Sequence, residues 1–117
     1  MKKFYKICKT TEMQNNQRKR FILDDDTEIV VFKMDGKFYA VANTCPHNHS
    51  HHMDEGYVDR DLYLTCPVHG YRYHIETGEV PPNNVEMSGK LEIYKTKIEN
   101  DELYVEKNEK KFKFWKW

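Results

Sequence analysis

Glu28-Ile29-Val30-Val31-Phe32-Lys33-Met34-Asp35-Gly36-Lys37-Phe38-Tyr39-Ala40-Val41-Ala42 is the stretch that decides the fold class. Two runs rich in β-branched and aromatic residues flank Asp35-Gly36, a dipeptide that readily adopts the positive φ angles of a two-residue hairpin turn. Residues 28–34 and 37–42 are therefore predicted as paired antiparallel strands. Upstream, residues 18–23 form another strand, joined to the first by the acidic turn Asp24-Asp25-Asp26-Thr27. Downstream comes a polar loop, residues 43–56, dense in histidine. Strands are expected at 57–65 and 71–75, the latter closed by the Thr77-Gly78 turn. Pro81-Pro82 imposes a non-regular segment, because neither residue can donate to a ladder. Residues 91–98 and 102–106 make a last hairpin around Asn100-Asp101. Residues 11–17 have room for a short helical turn, and no segment reads as a long amphipathic helix. The expectation is all-β.

Composition narrows the function classes. A chain of 117 residues fits one domain, 1–117, with no room for a second catalytic one. Its hydrophobic fraction of 38% makes a modest core that a metal site would staple, and the 14% of aromatic residues favours β structure. Lys plus Arg and Asp plus Glu are 19 each, so no general pull toward nucleic acid exists and local patches carry the electrostatics. No apolar run follows the basic start at the length of a secretion signal, and none approaches the roughly 20 residues of a membrane helix. A cytoplasmic monomer without membrane or nucleic-acid partner is expected. The acidic turn at 24–27 reads as a solvated loop tip. The last eleven residues, 107–117, hold five Lys against one Glu, interleaved with Phe112, Phe114, Trp115 and Trp117. They read first as a segment covering the sheet and second as a docking tail for an acidic partner. Single-strand nucleic-acid binding uses similar residues but has little support here.

Three cysteines do not make a disulfide framework. Cys8 stands apart and reads as a buried or half-buried thiol. The other two belong to a four-residue constellation. Cys45-Pro46-His47 has C-x-H spacing, and Cys66-Pro67-Val68-His69-Gly70 has C-x-x-H spacing. Each loop follows a predicted strand, so one β-scaffold could bring together two thiolates and two imidazoles, a donor set suited to a metal centre.

With these two loops, the downstream Tyr71-Arg72-Tyr73 and Thr77-Gly78-Glu79, the approach Tyr39-Ala40-Val41-Ala42-Asn43-Thr44, Asp54-Glu55-Gly56 and Pro81-Pro82, the sequence resembles the Rieske family over most of its length. The resemblance implies an antiparallel β-sandwich with a small cluster-binding subdomain, its loops at about 44–53 and 65–73. It implies one 2Fe–2S cluster with Cys45 and Cys66 on one iron and His47 and His69 on the other. The 18 residues between His47 and Cys66 slightly exceed the family's spacing, a difference that a surface loop absorbs cheaply. His49, His51 and His52 in that loop read as exposed residues, with a second metal site or a pH-sensitive rim as the sharper alternative. His74 falls in a predicted strand and reads as structural.

The resemblance also bears on the reduction potential. High-potential members carry an additional cysteine in each loop, where this chain has Ser50 and Val68, and a serine where it has Tyr71; their tyrosine is retained as Tyr73. A potential at the low end of the Rieske range is therefore implied. The implied role is a non-catalytic electron carrier passing single electrons from a reductase to a terminal oxygenase or similar enzyme. Two alternatives stand beside it: a small subunit of a reductase complex such as an assimilatory nitrite reductase, and a zinc-stabilised structural module.

Overall fold

The computed structural model describes residues 2–23, 26–46, 51–67, 70–82 and 90–108. It is all-β apart from two single 3-10 turns, at Thr10–Glu12 and Met53–Glu55. The strands are β1 (Lys2–Lys9), β2 (Gln17–Ile22), β3 (Glu28–Met34), β4 (Lys37–Ala42), β5 (Tyr57–Val58), β6 (Tyr63–Thr65), β7 (Arg72–His74), β8 (Ile93–Glu99) and β9 (Glu102–Asn108). They build a six-stranded sheet in the order β1-β9-β8-β4-β3-β2 and a three-stranded sheet in the order β5-β6-β7. Every pairing is antiparallel.

Local chemistry accounts for the large sheet. Ile29, Val30, Val31 and Phe32 are all buried, the mark of a strand covered on both faces. The β3–β4 turn has Asp35 at φ 51° and Gly36 at φ 79°, as a tight primed turn demands. Asn100 at φ 51° and Asp101 at φ 62° do the same between β8 and β9. β2 lies at one edge of the sheet, and its exposed Arg18, Lys19 and Arg20 discourage pairing with another chain. Ile29, Val41, Leu91, Leu103 and Val105 belong to the same buried cluster as Leu64 and Tyr73 of the small sheet, so one core spans both.

Two expectations need correction. Residues 57–65 are not one strand: the chain turns back at 59–62 to pair β5 with β6, Tyr57 opposite Thr65. Asp59 stops the strand by using its Oδ1 to accept the backbone N–H groups of Asp61 (2.9 Å) and Tyr63 (3.0 Å), with Leu62 at φ 67°. Residues 2–9, read only as a basic start, form β1 and pair along β9 with an irregularity between Lys6 and Cys8. The short helical turn expected at 11–17 occurs one residue earlier, at Thr10–Glu12. The tips of the acidic turn, Asp24 and Asp25, and the tail beyond Asn108 lie outside the described residues.

Candidate metal centre

The two candidate ligand loops leave strand ends of different sheets. The first departs from the end of β4 and returns at Met53, whose N–H donates to the Asn43 carbonyl at 3.4 Å. The second is the β6–β7 connection, drawn tight where the Cys66 N–H donates to the Tyr71 carbonyl (2.8 Å) and the Gly70 N–H to the Cys66 carbonyl (2.9 Å). Gly70 takes φ 76° to make that turn.

Cys45 and Cys66 are both 0% exposed, and no disulfide joins any of the three cysteines. Tyr73, on β7, is also fully buried. Its hydroxyl is hydrogen-bonded to the Cys45 sulfur, and both cysteines act on its ionisation. Burial first, then the neighbouring Cys45 and Cys66, pushes the Tyr73 phenol above its ordinary value, so it keeps its proton at neutral pH. Tyr73 is thus both a core aromatic and a partner of a candidate ligand.

The small sheet that carries the second loop is braced by ions and rings. Arg72 Nη2 lies 2.7 Å from Asp59 Oδ2, and its guanidinium stacks 4.8 Å from the Tyr63 ring centroid. Partial burial acts upward on the Asp59 carboxyl, but the Tyr63 N–H, Arg72 and the Asp61 N–H outweigh it and hold the group below its usual range. His74 is structural, as expected: its ring meets Tyr63 edge-on at 5.0 Å and its Nδ1 accepts the Glu76 N–H at 3.1 Å.

At the base of the first loop sits a residue that the sequence reading passed over. Asn43 is 0% exposed. Its Nδ2 donates to Glu28 Oε1 (3.1 Å) and to the His51 carbonyl (3.2 Å), and its Oδ1 accepts the Asp54 N–H (2.8 Å). Its backbone N–H donates to the Glu28 carbonyl at 3.1 Å. The available signal was a polar side chain placed directly after an apolar strand and two residues before a candidate ligand.

Among the loop histidines, His51 and His52 are exposed, as anticipated. His51 Nδ1 lies 3.3 Å from Thr44 Oγ1 and 4.0 Å from Glu28 Oε1, while His52 Nδ1 is 3.6 Å from Glu55. His47, His49, Ser50, Val68 and His69 lie outside the described residues. Among the described residues no three metal-ligating side chains meet. Cys8, on β1, is half-buried; burial and then Glu12 push its thiol up.

The chain belongs to the family described as Rieske [2Fe-2S] domain, whose model matches residues 3–95. Ferredoxin CarAc of Metapseudomonas resinovorans is 27% identical over 100 residues, covering 86% of this chain and 90% of that protein. A structure of the complex of reduced oxygenase and oxidised ferredoxin in carbazole 1,9a-dioxygenase aligns with TM-score 0.74 and 26% identity, over 86% of this chain and 98% of the matched one. A chain described as the NADH-dependent nitrite reductase small subunit of Mycobacterium tuberculosis shares the fold with TM-score 0.80 at 18% identity, over 93% and 98% of the two chains.

The protein is accordingly an electron-transfer protein with one Rieske-type 2Fe–2S cluster. The described donors fit that group. Two fully buried cysteines remain free of a disulfide, shielded from water, and one of them is bonded to the buried Tyr73. Zinc, the alternative raised by the same donor set, is thereby set aside by the family match.

Proposed function

We propose that this chain is a Rieske-type ferredoxin that receives single electrons from a reductase and delivers them to a terminal oxygenase or similar acceptor, without catalysing a reaction itself. Cys45 and Cys66 hold one iron, and His47 and His69 the other. The observation that carries this reading is the full burial, without a disulfide, of Cys45 and Cys66 on loops from two different sheets, with the Tyr73 hydroxyl bonded to Cys45.

When bound, the cluster supplies a one-electron couple whose potential is raised by replacing two anionic thiolates with neutral imidazoles. The protein's own groups do the rest. Burial of Cys45 and Cys66 excludes water from the sulfur side, so charge at the site is felt strongly and hydrogen bonds to it count for more. Tyr73 donates a proton-sharing contact to Cys45 that favours greater negative charge on sulfur. Pro67 and Gly70 on the second loop are exposed, so a partner can approach this loop there. Docking contacts of such carriers are small and transient.

The reading extends to a single functional unit over residues 1–117, a cytoplasmic location and a monomer in solution. No helix among the described residues is long and apolar enough to cross a membrane. The test is electron paramagnetic resonance of the dithionite-reduced protein, together with iron and acid-labile sulfide content. A spectrum with the lowered average g-value of nitrogen ligation, lost in His47→Ala and His69→Ala, is expected. An all-cysteine type of spectrum, or zinc in place of iron, would overturn the ligand set. Elution bound to a large flavin-bearing subunit would replace the mobile carrier with a subunit of a reductase complex.

A further inference from the structure

We infer that Asn43 is the positioning residue of the first cluster-bearing loop, a clasp that sets where Cys45 lies without touching the cluster. The inference rests on the ligand set proposed above. Asn43 stands where the loop leaves β4 and is bonded to the residues at which it returns. One amide side chain binds the His51 carbonyl and the Asp54 N–H on the returning stem and the Glu28 carboxylate on β3. Its backbone adds the Glu28 carbonyl and the Met53 N–H. The stem that leaves β4 and the stem that returns through His51 and Asp54 are thereby held by one side chain.

The chemistry requires asparagine. The two atoms facing Nδ2 are acceptors and the one facing Oδ1 is a donor, so the amide orientation is determined by its partners. Aspartate would place a second carboxylate against Glu28 and lose both donations. Alanine would leave the Asp54 N–H without its side-chain acceptor at a 0% exposed position, where an unmade hydrogen bond is most expensive. Cys45 is only two residues further on, so a shift of this stem moves its sulfur and the contact with Tyr73.

Simple core support would produce a stability loss alone, and the experiment separates the two. Asn43→Ala and Asn43→Asp are compared, as cluster-loaded proteins, with Leu103→Ala, a cavity in β9 at another fully buried position. The readouts are the rate of iron release to a chelator, the g-values, the midpoint potential, and amide exchange at Met53 and Asp54. Release at least about tenfold faster than in Leu103→Ala is expected, equivalent to ~1.4 kcal/mol. Altered g-values or potential should accompany it, whereas Leu103→Ala should lose thermal stability with g-values and potential unchanged. Wild-type g-values, potential and release rate in both Asn43 variants would overturn the clasp. If Asn43→Ala does not fold, Asn43→Asp is judged by the same criterion. Failure of the ligand set appears separately, as an unsubstituted protein lacking the nitrogen-ligated spectrum. Exchange at Asp54 still decides the clasp in that event: protection in the unsubstituted protein that survives in Asn43→Ala, which removes the Oδ1 acceptor, overturns it, and protection lost there supports it.

Discussion

The hydroxyl of Tyr73, buried on edge strand β7 of the small sheet, is hydrogen-bonded to the sulfur of Cys45, on a loop that leaves the large sheet. This contact ties the two ligand loops to one another before any partner is considered. It also leads to the first prediction. Added negative charge at the site strengthens a hydrogen bond to sulfur, so removing the donor favours the oxidised form. Tyr73→Phe should lower the midpoint potential by roughly 20–60 mV, the one-electron equivalent of a ~0.5–1.5 kcal/mol bond. A spectroscopic redox titration reads this directly, and an unchanged or higher midpoint would contradict it.

The midpoint of the unsubstituted protein is itself a prediction. With Tyr71, Ser50 and Val68 at three tuning places and only Tyr73 retained, it should fall near the low end of the roughly −150 to +300 mV Rieske range. A titration placing it above about +200 mV would rule this out.

Gly56 is needed for close approach between the first loop and the small sheet. A Cβ there would lie 2.5 Å from the Thr65 carbonyl oxygen and 2.7 Å from Leu64 Cδ1, atoms of a strand that cannot easily withdraw. Gly56→Ala should therefore cost about 1–3 kcal/mol, as overpacking of a fitted interior does. Equilibrium denaturation measures the loss; wild-type stability would show that the strand yields.

Asp59 gives a pH dependence with a defined sign. Its carboxyl is held below the usual range in the folded protein, so its stabilisation is fully present above the unfolded value of about 3.9 and is lost as pH falls through the folded value. Asp59→Asn should be less stable than the unsubstituted protein at pH 7, and the difference should shrink once the pH drops below about 4. Denaturant midpoints for the two proteins between pH 7 and pH 3 test it. A gap that is constant with pH would assign the effect to the lost shape and not to the charge.

Much of the large sheet could be read locally. Asp35-Gly36 and Asn100-Asp101 carry their turn geometry in their own backbone preferences, and the apolar run 29–32 announces a strand covered on both faces. The break inside 57–65 was obscured because alternation continues through it; the decisive event is Asp59 turning its carboxylate onto the following backbone N–H groups. β1 was missed because its pairing with β9 joins residues about a hundred positions apart and contains an irregularity that spoils the simple alternation.

The amino-acid sequence by itself determined the fold class and the spacing of the two Cys–His motifs, because turn preference, side-chain alternation and motif spacing are local properties. Tertiary structure alone decided that Cys45 and Cys66 are both fully buried, that Tyr73 bonds to Cys45, and that Asn43 joins the stems of the first loop. These depend on which distant strand ends the sheets bring together, and on burial, which turns ordinary hydrogen bonds into strong constraints.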